Sequence, residues 1–277
     1  LTTGAERYMF YLTGGDGAGD NHLKNIVRLG GSASKLHLLL LLAAVNMDEQ
    51  ALTHLKALLE SMVYYSTVNQ IKTNELERLY AQWCKQIREI HTDEELTSFI
   101  NNKIKPTISQ WKVNNRSNFM RIGFDSMQQY RVKFILARIT KYVDVRRKNG
   151  GDASNVAEFY EGGIEIEHIM PQKYSAAYGI SEDDYNAAKQ RLGNLTLLEK
   201  TINASIGDDA FASKSEAYRQ SAYYLTRSIA QLDDVGQQTA INRMNQKLRS
   251  WSSWGPSMIE DRQAILYDLS EEIWSID

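Results

Sequence analysis

The sequence predicts a mainly α fold, a helical bundle in which a small ββα element is embedded. Only 3 of the 277 residues are proline, which favours helices over rigid loops. Apolar residues recur at helical spacing along most of the chain. The alternation of apolar and polar residues that is typical of a strand is clearest at residues 164–169.

Residues 1–34 are mixed in character, with glycine-rich patches at residues 14–19 and 30–34, and helical patterns dominate the rest of the first half of the chain. An apolar run at residues 36–45 predicts a buried helix, since it is half as long as the roughly 20 residues that cross a membrane. Asp48 is a suitable N-cap for a helix that runs to about residue 65. Thr92 and the three acids after it are typical of a capping box. Further helices are predicted at residues 73–90, 93–103 and 126–147, and Pro106 is expected to interrupt the second of these.

The pattern changes at the turn-rich residues 148–154. Strands are predicted at residues 164–169, which Pro171 ends, and at residues 195–198. Helices are predicted at residues 181–191, 208–231, 237–248 and 257–274. We therefore expect a helical region over residues 1–150, a ββα motif over residues 151–220, and C-terminal helices over residues 221–277 that pack on it.

Composition excludes several classes of protein. The single cysteine, Cys84, rules out an internal disulfide framework and a cysteine-based zinc or iron–sulfur site, and it fits a reducing, cytoplasmic setting. Five histidines leave little material for a multi-histidine metal site. No secretory signal or membrane span is predicted. Because the chain starts with Leu-Thr-Thr, we expect it to be part of a longer protein.

Two segments carry the residues that are suited to chemistry: residues 165–172 (EIEHIMPQ) and residues 193–198 (GNLTLL). The predicted order is strand, loop, strand, helix, with His168 at the end of the first strand and Asn203 near the start of the helix. A carboxylate and an amide oxygen on such elements are ligands that Mg²⁺ prefers. A neutral histidine beside the ion can deprotonate a water for attack on phosphorus.

These motifs resemble those of HNH-type (ββα-metal) nucleases, and more narrowly the C-terminal nuclease region of GmrSD-like proteins. That group includes modification-dependent restriction enzymes and SspE-type nickases. The helical stretch from residue 35 to about residue 142 is also similar to the helical region that precedes the nuclease in the group. The resemblance therefore covers most of the chain.

The resemblance implies a role for each matching residue. His168 would be the general base, and Asn194 would be the middle asparagine that braces the catalytic loop. Glu167 and Asn203 would hold one Mg²⁺ or Mn²⁺ ion. Lys214 matches a family lysine that meets phosphate or braces the fold. The family often has an asparagine where this chain has the acids Asp208 and Asp209, so the role of this turn is open.

The implied function is a metal-dependent endonuclease that nicks double-stranded DNA, as the effector part of an anti-phage restriction protein. Its implied partner is an N-terminal nucleotide-hydrolysing module of the same longer protein, which is not recognisable here. The alternative is a non-catalytic helical module that binds DNA or protein and carries a degenerate motif. RNA as the substrate is a third hypothesis, and oligomeric state is not predicted.

Each candidate residue also has a purely structural interpretation. His168 alone would be a buried histidine of the core, and Glu167 a solvated strand residue. Asn194 after a glycine is typical of a turn, and Asn203 at a helix start is typical of an N-cap. Lys214 would then be a plain surface lysine.

A basic stretch precedes the motif. Residues 103–148 contain twelve basic and two acidic residues, which is the charge pattern expected for contact with a phosphate backbone. The residues predicted to bind nucleic acid are Lys214 and, at the end of this stretch, Arg138, Lys141, Arg146, Arg147 and Lys148. The alternative is that some of them pair with the acidic segment at residues 161–214.

Overall fold

A computed structural model describes residues 2–15, 21–31, 35–234 and 236–276. It confirms a mainly α fold with one small sheet. The described residues form two compact units: the first extends to Phe119 and includes the chain from Trp274 onward, and the second is Met120–Ile273. The helix before the turn-rich segment therefore belongs to the second unit.

The first unit is built from eight α-helices, and local capping determines where two of them begin. The Asp48 side chain accepts a hydrogen bond from the Ala51 backbone N–H at 2.6 Å, and Thr92 forms the predicted capping box with Glu95. The helices are α1 (Thr2–Leu12), α2 (Asn21–Gly30), α3 (Leu36–Ala43), α4 (Glu49–Val68), α5 (Thr73–Ile87), α6 (Asp93–Phe99), α7 (Lys105–Lys112) and α8 (Asn115–Phe119).

The expected interruption at Pro106 is wrong. The helical path continues from α6 through a π-helical turn, Ile100–Ile104, into α7, and Pro106 lies in the first turn of α7. Proline is tolerated there because its missing N–H would have no partner within the new helix, and the wider π turn makes room for its ring.

The second unit contains the two strands β1 (Ile164–His168) and β2 (Leu195–Glu199), which pair antiparallel with His168 opposite Leu195. Helix α12 (Lys200–Ile206) follows β2 directly and packs on both strands, which completes the predicted ββα element. The other helices are α9 (Gln129–Arg147), α10 (Glu158–Glu161), α11 (Glu182–Gln190), α13 (Phe211–Tyr218), α14 (Tyr224–Ala230), α15 (Ala240–Asn245) and α16 (Pro256–Ile273).

The single helix predicted at residues 208–231 is wrong, because the chain turns between α13 and α14. The carboxylate of Glu199, at the end of β2, accepts hydrogen bonds from the Ser221 hydroxyl at 2.9 Å and the Ala222 backbone N–H at 2.7 Å. A continuous helix would need the Ala222 backbone N–H for a hydrogen bond within the helix, but this group is engaged by Glu199. In the described part of the chain, every helix is too short or too polar to cross a bilayer.

Candidate active site

The loop that follows β1 is fastened to Asn194, which is fully buried. The Asn194 Oδ1 accepts hydrogen bonds from the Met170 backbone N–H at 2.7 Å and from the Trp254 Nε1 at 2.9 Å. Its Nδ2 donates to the backbone oxygens of Met170 and Lys189. Its own carbonyl oxygen accepts from the Ile169 N–H at 2.9 Å. Asn194 therefore holds the two residues after His168 in place, and its side chain is occupied by this task.

Helix α16 supports the same loop from behind. The buried Arg262 donates to the carbonyl oxygens of Gly193 and Leu195 at 2.8 and 2.7 Å, and Gln263 accepts from the Gly193 N–H at 3.1 Å. A Cβ atom on Gly193 would collide with the Ile259 carbonyl oxygen, so only glycine fits between the loop and the helix. Sequence reasoning did not find these supports or Trp254, because each lies at least 60 residues from its partner.

His168 ends β1 and is 4% exposed. The Phe124 ring packs edge-on against the imidazole, with 4.9 Å between ring centroids. The backbone oxygen of His168 accepts a hydrogen bond from the Lys214 ammonium at 2.7 Å. The imidazole itself bonds to none of the described residues, so its nitrogen lone pair is not engaged by the surrounding protein.

Electrostatics keep the His168 imidazole neutral. Burial, as the largest cause, and then the charges of Lys214 and Lys189 together lower the pKa of His168 to about 4, against the opposite effect of Asp208. At neutral pH the ring therefore carries one proton and one lone pair. A histidine in this state can accept a proton without first losing one.

Glu167 does not face open solvent. It is 6% exposed, and its Oε1 accepts hydrogen bonds from the Lys214 ammonium at 2.7 Å and the Tyr218 hydroxyl at 3.0 Å. Burial raises the pKa of the Glu167 carboxyl, against the opposite effects of the Lys214 charge and of hydrogen bonds from Lys214, Tyr218 and the His168 backbone N–H. The bonds from the Lys214 and Tyr218 side chains both end on Oε1 and leave Oε2 to other partners.

Asn203 lies in the middle of α12. It is therefore not an N-cap, which was the purely structural role that the sequence suggested for it. The N-cap position is taken by Glu199, because the helix begins directly after β2. The Asn203 Nδ2 donates to the Glu165 Oε2 at 2.9 Å. Its Oδ1 accepts nothing from the described part of the chain. The contact with a β1 carboxylate is therefore to Glu165, and no direct contact to Glu167 is formed.

The donor chemistry fits a hard divalent ion that is weakly held. The side-chain hydrogen bonds of the site use the Glu167 Oε1 and the Asn203 Nδ2, which leaves the Glu167 Oε2 and the Asn203 Oδ1 as oxygen ligands on a strand and on the helix packed against it. In the same residues, no group of three or more His, Cys, Asp or Glu side chains is placed to hold a metal. Such a site would need water and substrate phosphate to complete it.

Several residues predicted to bind nucleic acid have partners inside the protein. Lys214 and Arg138 are 1% and 5% exposed, and Arg138 donates to the Ala153 carbonyl oxygen. Lys141 pairs with Glu158 at 2.8 Å and Arg147 with Asp233 at 2.8 Å. Arg146 lies over the Tyr142 ring, while Lys148 is exposed. The acids that pair with Lys141 and Arg147 lie outside the acidic segment that the charge pattern suggested.

Three other cationic residues, Arg121, Lys189 and Arg191, lie in or next to the segments that pair beside Phe124. The backbone of residues 122–124 pairs with that of residues 190–192, which brings the segment containing Arg121 and Arg191 beside Phe124 and thus near His168. The guanidinium groups of Arg121 and Arg191 bond to none of the described residues. Lys189 donates one hydrogen bond, to the Gln172 carbonyl oxygen at 2.9 Å. These side chains retain donors for a phosphate.

The family model for the C-terminal domain of GmrSD restriction endonucleases matches residues 111–269, which is more than half of the chain. The chain belongs to this family. The match contains both strands of the ββα element, the loop braced by Asn194 and most of α16. Membership in the GmrSD C-terminal domain family supports a nuclease role of the restriction-endonuclease type, with DNA as the substrate. A comparison with curated proteins finds no match.

Proposed function

We propose that this chain is a metal-dependent DNA nuclease of the HNH type that nicks one strand at each active site. The observation that carries the proposal is the neutral imidazole of His168 at the end of β1, which bonds to none of the described residues and precedes a loop that Asn194 holds in place. A general base must be unprotonated at the working pH and fixed in position, and His168 meets both requirements.

In the proposed reaction, His168 accepts a proton from a water molecule whose oxygen attacks the scissile phosphorus. A new P–O bond forms and the bond to the 3′ oxygen breaks, so that the products are a 3′-hydroxyl and a 5′-phosphate. The 3′ oxygen takes its proton from solvent. Phe124 packs on the imidazole, so the ring cannot tilt freely, and Asn194 fixes the next two residues.

Lys189 is the residue that we assign to the phosphate. Two lysines place charge near His168, but Lys214 is buried and donates to a carboxylate and a carbonyl oxygen. Lys189 is half-buried and donates one bond to a carbonyl, so two of its three N–H donors have no partner among the described residues. It can therefore stabilise the negative charge that develops on the phosphoryl oxygens.

The proposed cofactor is Mg²⁺ or Mn²⁺, held by Glu167 and Asn203. When bound, the ion would stabilise negative charge on the scissile phosphate and on the leaving oxygen. Glu165 accepts from the Asn203 Nδ2, and this bond fixes which amide atom remains for the ion. Lys214 holds the other oxygen of Glu167 and sets the orientation of that carboxylate.

We further propose that the chain works as the effector part of a bacterial anti-phage restriction protein. Family membership supports the restriction role. An N-terminal nucleotide-hydrolysing module of the same protein would be its partner, and the DNA modification or sequence would be sensed outside the proposed active site. The duplex would be bound by its phosphates, which position a nuclease without specifying a sequence.

Nicking of supercoiled plasmid tests the proposal. The full chain is incubated with plasmid in EDTA, in Mg²⁺ and in Mn²⁺, and open-circular and linear products are separated on a gel. We expect open-circular DNA in either metal and none in EDTA, with linear DNA only after repeated nicking. A folded chain that binds the plasmid but leaves it supercoiled in all three conditions would instead support the non-catalytic DNA-binding alternative.

A further inference from the structure

A cavity of about 680 Å³ opens next to the proposed catalytic residues, and the proposed reaction does not use it. Pro171, three residues after His168, forms part of its wall. Asp208 forms another part of the wall, and its carboxylate is close enough to His168 to interact electrostatically with the imidazole. All lining residues belong to the second compact unit. The cavity is therefore a neighbour of the scissile phosphate in the proposed reaction.

Aromatic side chains form two parts of the cavity wall. Tyr174 and Tyr178 each pack edge-on against the buried Tyr185, with 5.3 Å between centroids. Phe211 stacks on Trp254 with an interplanar angle of 23° and a centroid distance of 5.5 Å. These contacts fix the rings from behind, so their remaining surface is available to a flat, apolar ligand without further ordering.

Polar groups at the cavity are left without partners. The Tyr178 hydroxyl, the Asp208 carboxylate and the ammonium of the exposed Lys173 form no hydrogen bond with the described residues. Tyr178 donates, Asp208 accepts, and Lys173 is suited to a phosphate. A few convergent polar groups on a largely apolar wall are typical of a small-ligand site.

We propose that this cavity binds one unpaired nucleobase of the DNA substrate, next to the phosphate that is cut. A base has the flat π-face that aromatic walls bind irrespective of sequence. Asp208 can accept a hydrogen bond from an exocyclic amino group, as carboxylates do from cytosine. Taking up a base would require it to leave the duplex stack, and would anchor the strand at the site of cleavage. The inference rests on the proposed nuclease function because it takes DNA as the ligand.

Binding in EDTA tests the proposal without cleavage. The probes are two fluorescent duplexes of identical sequence, one fully paired and one carrying a single extrahelical cytosine. We expect the wild-type chain to bind the second duplex at least about fivefold more tightly, the lower end of what stacking one base contributes. With pyrrolo-cytosine at the extrahelical position, stacking on the cavity wall should also quench its emission.

Two variants locate the effect. Tyr178→Ala should reduce the preference to near unity and abolish the quenching, while Tyr160→Ala, which alters an exposed tyrosine that does not line the cavity, should retain both. Ser252→Trp fills the cavity from an exposed position and should act like Tyr178→Ala without removing any packing. Equal affinity of the wild-type chain for both duplexes, or a preference that survives Ser252→Trp, would overturn the proposal.

The binding experiment and the plasmid-nicking experiment can fail independently of each other. A chain that nicks plasmid but shows no preference and no quenching is a nuclease without a base site. A chain that prefers the extrahelical cytosine and loses this preference in Tyr178→Ala, but never nicks, has the base site and lacks the proposed activity.

Discussion

The ammonium of Lys214 donates to the Glu167 Oε1 at 2.7 Å, and both side chains are buried. The same ammonium donates to the backbone oxygen of His168, so one cation ties α13 to the two residues on which the proposed chemistry depends. Lys214 is therefore placed to support the proposed active site from within the protein and not to contact DNA.

Removing the Lys214 charge should destabilise the fold. Lys214→Met leaves the Glu167 carboxylate buried without its cation, and breaking one side of a buried ion pair costs about 3–5 kcal/mol. We expect this loss in urea denaturation, and only a small change in Lys200→Met, which alters an exposed lysine in the same unit. The double variant Glu167→Gln, Lys214→Met should recover part of the loss. If the Lys214→Met chain has normal stability but binds DNA more weakly, Lys214 contacts DNA phosphate, as the sequence predicted.

His168→Ala should abolish most plasmid nicking. Loss of a general base lowers the rate by on the order of 10²-fold or more. The matched control is His91→Ala, which alters an exposed histidine of the first unit and should nick like the wild type. Both variants should keep the wild-type circular dichroism spectrum and DNA affinity. Comparable nicking by His168→Ala and His91→Ala would exclude His168 as the base.

The acid limb of the pH profile should lie unusually low. Protonation removes the lone pair that accepts the proton, so nicking is lost as the pH falls through the pKa of His168, which is lowered to about 4. We expect kcat/KM to change little from pH 7 to about 5 and to be halved near pH 4. Lys189→Gln removes one of the charges that lower this pKa and should move the limb to higher pH. A wild-type limb near the ordinary histidine value would contradict this environment.

Substitution of Asn203 should lower the affinity of the proposed site for its metal ion. Asn203→Ala removes one of two proposed oxygen ligands, and we expect the Mn²⁺ concentration for half-maximal nicking to rise by about tenfold or more. Thr201→Ala, at an exposed position of the same helix, is the control. Glu167→Gln should shift the metal requirement more than Glu165→Gln, because the second variant still offers an oxygen to the Asn203 amide. The reverse order would assign the ion to Glu165.

DNA affinity should depend on Arg121 and Arg191, whose guanidinium groups bond to none of the described residues. The double variant Arg121→Gln, Arg191→Gln should weaken binding equally for all sequences. It should also reduce the log–log salt slope by about 0.9 for each DNA phosphate that the variant no longer neutralises. Arg147→Gln breaks the bond to Asp233 and should lower stability while leaving affinity unchanged. The opposite result, weaker binding by Arg147→Gln and normal binding by the Arg121→Gln, Arg191→Gln variant, would mean that the duplex lies along α9. The charge count of residues 103–148 predicted that path.

Local patterns were sufficient to predict many elements of this chain. Asp48 and Thr92 begin helices because their side chains bond to backbone N–H groups three residues away, and such bonds depend on neighbouring residues alone. The alternation in β1 predicted a strand that ends at His168. The residues of the two motif segments resemble those of GmrSD-like proteins, and the match over residues 111–269 confirmed that family.

Only the tertiary structure decided what the side chains of these elements contact. Lys214 reads in the sequence as one more cation near a nuclease motif, yet it pairs with a carboxylate 47 residues away and is buried. Trp254 supports Asn194 from 60 residues away, and nothing near Trp254 in the sequence indicates this. The physical reason is that helix and strand periodicity report which face of an element is buried, but the partner of a buried polar group depends on which distant element packs against that face. The sequence by itself therefore determined the order of elements and the family, and long-range packing decided which charges remain available to a phosphate.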